Sequence, residues 1–381
     1  MKPRKIPKFK GFCSRSEEHF VAAGENRILR LGIQLDTPRC NWNCPYCYAE
    51  PENSRDDNVP VEQIKEWISE GKRLGVTAVT VNGTFEPTTS KDLWKVLEHC
   101  QDLYLNTLLV TNGILLNEQR IWRLMDLETC VLMKLNVPIS DKSEAQYGEY
   151  RAIQAFMSGK EPQTYDVIMD RLMRLVEAGF ARPMIEEGVE KTRLGVESVI
   201  TKQNIAHLPR LVRQLREKNI YAHIEVLKEQ GGCQPGMQTT RAELERLFNR
   251  ILEEDLREGY EGWVPKPPYI AGTCYQNLVR LNIKADGKVT PCPGIELILG
   301  DLKRGDTLKG ILEGSEELRI IRNLKDLVEG DCKECAYLAD GSCYAGCRGT
   351  AFQEMKRQGH GLKRRMVASD PSCWRVSRAI D

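Results

Sequence analysis

The chain is short of net charge of either sign: its 381 residues carry 55 Lys plus Arg against 54 Asp plus Glu. Such a balance gives no electrostatic reason to expect a nucleic acid or a membrane surface as partner. No apolar run approaches the length of a membrane span. The first ten residues, MKPRKIPKFK, hold five basic groups, yet the GFCSRSEEHF behind them is not the apolar stretch of an export signal. This basic segment is read as a solvated tail, and so is Lys363-Arg364-Arg365. Without an export signal the expected location is the cytoplasm, where thiols stay reduced and disulfides are not expected. There is no low-complexity segment, and no repeat beyond an alternation of strand and helix patterns.

Cysteine, by contrast, is abundant. The chain has 14, and many cysteines in a reducing compartment point to metal or catalysis. Three fall within Cys40–Cys47 and seven lie between Cys274 and Cys373. Cys13, Cys100, Cys130 and Cys233 are scattered; Cys100 and Cys130 sit in apolar patterns and read as core residues.

From residue 31 strand-like runs (31–37, 77–82, 107–111, 130–136, 194–200, 220–227) alternate with helix-period segments (61–74, 90–101, 117–126, 165–178, 204–218, 240–256). Ser90 and Asn117 stand as helix start signals. An extra helix is expected over 143–157. Strand–helix units in series imply parallel strands with right-handed crossovers. Eight units close a standard barrel, and six predict an open, partial (β/α)6 TIM-like one. Tyr221, His223 and Glu225 share one side of their strand, as do Lys134 and Asn136 of theirs, while Glu197 and Ser198 leave the strand 194–200 ambiguous. Polar groups on strands beneath packed helices imply a wet or occupied lumen; strand ends in solvent are the alternative. After about residue 257 the alternation stops. A Pro-rich linker (265–268), a hairpin (276–284 and 288–291, turned by Asp286-Gly287) and a helix near 315–324 are expected in a cysteine-rich remainder that metal clusters would hold together. The expected organisation is a tail (1–30), a barrel (31–256) and a cluster-binding region (257–381).

Cys40, Cys44 and Cys47 form a CxxxCxxC run directly after the first strand, with Tyr46 before the third cysteine. Three thiolates on one loop can hold three irons of a cubane and leave the fourth open; structural zinc would want a fourth close ligand, and none follows nearby. The run resembles the signature of the radical S-adenosylmethionine (SAM) superfamily. That resemblance implies a [4Fe–4S] cluster whose open iron takes the amino and carboxylate groups of SAM. It extends over roughly residues 31–230. Asn82-Gly83-Thr84-Phe85-Glu86-Pro87 stands where the family has its SAM-amine motif, although Phe85 replaces a usually small residue. Thr111 and Asn112 stand at the third strand's end. Lys134, Asn136, Arg151 and Ser198 are the further SAM-binding residues that the resemblance implies.

The order Cys274, Cys292, Cys332, Cys335, Cys343, Cys347, Cys373 resembles the SPASM extension of the same superfamily, with two extra residues between Cys335 and Cys343; a zinc ribbon is the alternative. The SPASM resemblance implies two auxiliary [4Fe–4S] clusters, one on Cys274, Cys292 and Cys347, the other on Cys332, Cys335, Cys343 and Cys373. It implies that SAM is cleaved to a 5′-deoxyadenosyl radical, that the barrel holds substrate against it, that an electron donor such as flavodoxin or ferredoxin reduces the cluster, and that the auxiliary clusters accept an electron. An oxidoreductase acting on a small polar metabolite, such as a sugar or aminocyclitol, is therefore expected, because only 39 residues precede Cys40 and they do not read as a leader-binding domain. A maturase of a ribosomally made peptide or protein is the alternative, then a redox-neutral epimerase with Cys233 as hydrogen donor. His223, Glu225 and Cys233 are the catalytic candidates, with Glu197 as a further proton acceptor. A non-catalytic metal scaffold is the reading from another class.

Overall fold

A computed structural model of the protein describes residues 3–12, 16–35, 40–49, 59–83, 85–186 and 188–376. Six parallel strands run in sequence: β1 (Arg30–Gln34), β2 (Ala78–Asn82), β3 (Asn106–Thr111), β4 (Cys130–Lys134), β5 (Leu194–Ile200) and β6 (Tyr221–Val226). The C-terminal region adds β7 (Arg280–Ile283), β8 (Lys288–Thr290) and β9 (Gly300–Asp301), giving one open sheet of order β9–β8–β7–β1–β2–β3–β4–β5–β6. This is the expected partial barrel. The added strands were not expected to join it, yet β7 lies parallel to β1, with Arg280 opposite Arg30 and Ile283 opposite Ile33. The turn after β7 uses Gly287 at φ +86°, and Asp286 accepts the Lys288 amide. Residues Gln276–Val279 form a helical turn, so the hairpin is shorter at its start than expected.

Helices cover the outer face because their apolar residues repeat at helical period. Val61–Arg73 buries Val61, Ile64 and Ile68, and Leu208–Glu217 buries Leu208, Leu211, Val212 and Leu215. Asn117 caps Glu118–Asp126 through the Arg120 amide at 2.9 Å, and Thr240 with Glu243 forms a capping box on Arg241–Arg257. Ser90 starts no helix; the next begins at Leu93 after a tight turn over Pro87–Thr89. Cys100 belongs to the main core, as expected.

Two further segments cover the sheet. The Pro-rich linker runs along β6, where the Val226 amide donates to Pro268 and the Ile270 amide to Ile224, so the last strand exposes less unpaired backbone. At the opposite end of the lumen the N-terminal segment is not solvated. Lys8–Phe9 pairs with Val189–Thr192, which pairs with Met184–Glu186. Phe9 stacks on Tyr221 with ring centres 5.3 Å apart and packs with Leu108, Cys130 and Leu132. Lys10 is buried and paired with Glu186 at 2.8 Å. The two phenylalanines around Lys10 find apolar cover in the barrel floor, and that burial outweighs the preference of the flanking charges for water. Among the described residues no helix is long and apolar enough to cross a membrane.

Candidate active site

The loop after β1 carries Cys40, Cys44 and Cys47, and its neighbours clamp it. Asn112 donates to Asn41 at 2.6 Å, the Asn43 amide to Ser158 at 2.9 Å, and the Gln234 amide to Pro45 at 2.7 Å. Gly159 (φ +61°) and Gly231 (φ +58°) press against the carbonyls of Asn43 and Tyr48, where any Cβ would collide. The three thiols line a chamber of about 140 Å³ at the carboxyl ends of the strands. Burial pushes each thiol up, Cys44 to about 12, and the neighbouring sulfurs add to it at Cys44 and Cys40. Buried thiols this close ionise together only with a cation among them, so the donor set fits a thiolate-bound iron–sulfur cluster.

Tyr46, Gly83, Glu86, Thr111, Asn112, Lys134 and Glu225 line the same chamber; Thr84 lies outside the described residues. Glu86 differs from the expectation of a carboxylate offered to an ammonium. One oxygen accepts from the Thr88 amide and hydroxyl and from Thr111 at 2.6 Å; the other accepts the Asn112 amide at 2.7 Å. It is a strut joining the ends of β2 and β3. Burial pushes its pKa up, and those hydrogen bonds only partly offset the rise. Glu86→Gln would face the Asn112 N–H with a second donor, at an expected cost of about 1–3 kcal/mol. A fall in the urea midpoint of the anaerobic holoprotein checks this; an unchanged midpoint would show that the strut is dispensable.

Other expected residues fall elsewhere. Asn136 and Ser198 stand behind Tyr46: Asn136 donates to the Tyr46 hydroxyl at 3.1 Å and accepts from Ser198 at 3.4 Å, so they orient the ring instead of lining the chamber. Arg151 pairs with Asp166 at 3.1 Å and lies over Tyr147, which takes it away from the chamber. Cys233 packs against the apolar cluster that contains Tyr46, Met157 and Leu227 and is not among the residues lining the thiol chamber; burial raises its thiol to about 11. Its placement gives no support to a hydrogen-donating role.

A second chamber, of about 480 Å³, is lined by Tyr221, His223, Tyr269 and Cys274 among others. Between the two, Glu197, His223 and Glu225 bring one ligand atom each within 4.8 Å of one another. Three such groups suit a divalent ion in principle. Here Lys134 lies 2.9 Å from Glu197 and Lys228 lies 2.6 Å from Glu225, so two ammoniums already balance the two carboxylates. Burial lowers the pKa of His223 against the opposing pull of the two glutamates, and its Nδ1 is buried without a hydrogen-bond partner. A neutral imidazole between two carboxylates is equipped to receive a proton.

The seven C-terminal cysteines form two groups. Cys274, Cys292 and Cys347 lie close enough to feel one another's charge; burial and that proximity push Cys292 to about 12 and Cys274 upward. Cys332, Cys335, Cys343 and Cys373 line a separate pocket of about 30 Å³. The chain therefore crosses between the groups, with Cys343 in one and Cys347 in the other. Both sets have the soft donors of iron–sulfur sites. Sequence reasoning missed Lys228, Arg280 and Asp370. Lys228 follows β6 in an unpatterned loop; Arg280, whose buried guanidinium donates to Asn82 and lies near the Cys292 and Cys274 sulfurs, reads as an ordinary strand residue; Asp370 lies in a loop with no period to mark it.

The family model for the radical SAM superfamily matches residues 35–186, and one described as an iron–sulfur cluster-binding domain (SPASM) matches residues 274–336. The chain is 26% identical over 366 residues to the PqqA peptide cyclase of Bradyrhizobium diazoefficiens, covering 90% of this chain and 86% of that protein. It is 22% identical to the AdoMet-dependent heme synthase of Methanosarcina barkeri, covering 83% and 90%. The crystal structure of Streptococcus suis SuiB bound to precursor peptide SuiA superposes with a TM-score of 0.63 at 18% identity, covering 94% of this chain and 79% of SuiB. The chain belongs to the radical SAM superfamily, in the subgroup with a C-terminal SPASM domain.

Proposed function

We propose that this chain is a peptide maturase, which abstracts hydrogen from a residue of a peptide substrate and leaves it cross-linked or dehydrogenated. The observation that carries the reading is the similarity to PqqA peptide cyclases, which spans 90% of the chain. The expectation of a small polar metabolite does not survive that finding. It rested on the shortness of the segment before Cys40, a weaker signal than similarity over nearly the whole length.

When bound, SAM and the clusters supply a 5′-deoxyadenosyl radical and a one-electron sink. Cys40, Cys44 and Cys47 would hold the first cluster, with Gly83, Asn112 and Lys134 placed to receive SAM's methionine group and Tyr46 forming part of the wall. Lys134 is held charged: burial works against its ammonium, and Glu197 with Glu225 outweighs it. Glu197, His223 and Glu225 would take the proton released as the substrate radical is oxidised. Phe9, packed with Leu108 and Leu132, covers the inner ends of the strands and forms part of the wall of the second chamber.

The test incubates the reconstituted protein anaerobically with SAM, a reductant and synthetic peptides translated from short reading frames beside its own gene. The expected result is 5′-deoxyadenosine formed in step with a peptide lacking two hydrogens per modification. Turnover of sugars or aminocyclitols with no change in any peptide would overturn the reading.

A further inference from the structure

Lys228 stands where two spaces meet. With Leu227 it lines both the thiol chamber and an outer cleft of about 250 Å³ that also includes Gln353 and Arg357. Its ammonium reaches into the lumen, 2.6 Å from Glu225. Its stem runs back along the turn after Cys292. The point where a Cβ on Gly294 would stand is 3.2 Å from Lys228 Cδ, 3.4 Å from Cε and 3.9 Å from Cys292 Sγ. A Cβ on Gly349 would meet the Gly294 carbonyl and lie 3.6 Å from Cys347 Sγ. Two glycines thus let the lysine stem, the Cys292 turn and the Cys347 helix start pack together with nothing between. Only 17% of the lysine side chain is exposed, so solvent screens its charge little. Burial works against that charge, and Glu225 and the Cys347 and Cys292 sulfurs outweigh it.

We propose that Lys228 is a positioning residue that sets the reduction potential of the cluster held by Cys274, Cys292 and Cys347, making it the better electron acceptor for the lumen. A fixed positive charge beside an iron–sulfur cluster favours the reduced form, which carries one more negative charge, and so raises the potential. One electron passes from the substrate-centred radical to the oxidised cluster, and the proton released goes to the Glu197–His223–Glu225 group, leaving a closed-shell product. Because Lys228 is anchored on Glu225, the same residue ties the site of proton release to the site of electron uptake. The inference rests on the cluster assignment above and not on the identity of the substrate.

The test is an EPR-monitored redox titration of the full chain carrying Cys40→Ala/Cys44→Ala/Cys47→Ala, so that only auxiliary signals remain. The signal lost in Cys292→Ala identifies the relevant cluster. Lys228→Met is expected to shift that cluster's midpoint to a more negative potential and leave the other signal unmoved, and Lys228→Arg is expected to restore it. If Lys228→Met fails to hold the cluster, Lys228→Met/Glu225→Gln, which leaves no buried carboxylate unpaired, carries the same comparison. An unchanged midpoint, or an equal shift of both signals, overturns the inference. Absence of any signal that depends on Cys292 overturns the cluster assignment and the inference with it.

Discussion

Replacing Cys40, Cys44 and Cys47 together with alanine is expected to abolish conversion of SAM to 5′-deoxyadenosine. The fall should be at least about 10³-fold, equivalent to roughly 4 kcal/mol of barrier. Iron should drop from about 12 to about 8 per chain after anaerobic reconstitution. The effect is large because no other described cysteine can take over. Cys233, whose thiol is close enough to feel the Cys47 charge, packs behind the loop and is not among the residues lining the chamber. The loop itself should survive, since Asn112, Ser158 and Gln234 hold it through Asn41, Asn43 and the Pro45 carbonyl without using a thiol. Measuring 5′-deoxyadenosine together with iron and zinc checks both halves. About 4 irons falling to nearly none, with zinc retained, would show that the C-terminal cysteines hold zinc and would remove the electron sink from the mechanism.

How much of this was legible beforehand depends on whether the signal is local. The CxxxCxxC spacing is local, and so are the strand and helix periods; each element there follows from residues within one window. The inward sides of β4 and β6 were readable for the same reason, because alternation along a strand is strict: Lys134, His223 and Glu225 do face the lumen. Asn136 shows where that reasoning ends. It lies two residues past Lys134, beyond the strand's last ladder residue, and there the chain turns so that its side chain meets Tyr46 and Ser198. The N-terminal plug was hidden because composition cannot reveal that Phe9 has a slot waiting between Leu108 and Tyr221. Lys228 was hidden for a like reason: its partners are 3, 64 and 119 residues away, at Glu225, Cys292 and Cys347, and only folding brings them together. The crossing of Cys347 was implied by resemblance alone, and spacing by itself would have grouped it with Cys343.

Asp370→Ala is expected to cost the protein both auxiliary clusters, with iron falling from about 12 toward about 4 per chain while the first cluster persists. The carboxylate is fully buried. One oxygen accepts the Cys347 amide at 2.6 Å; the other accepts the Ser372 amide at 2.9 Å and its hydroxyl at 2.7 Å. Its own carbonyl accepts the Cys373 amide at 3.1 Å. One residue therefore fixes Cys347 of the first group and Cys373 of the second. The Cys343–Cys347 loop is shaped to reach it: Ala345 and Gly346 both have positive φ, and a Cβ on Gly346 would collide with the carboxylate. Each hydrogen bond to a buried charge is worth about 1.5–3 kcal/mol, and losing three of them frees two ligand loops that lie between the apolar clusters of the C-terminal region. Asp370→Asn keeps the volume and an acceptor on one side only, so it should spare one cluster more than the other. Iron content, sulfide and the EPR spectra of the two variants give the answer. Full iron in Asp370→Ala would mean that the thiolate–iron bonds alone fix both loops and that the carboxylate is a passenger.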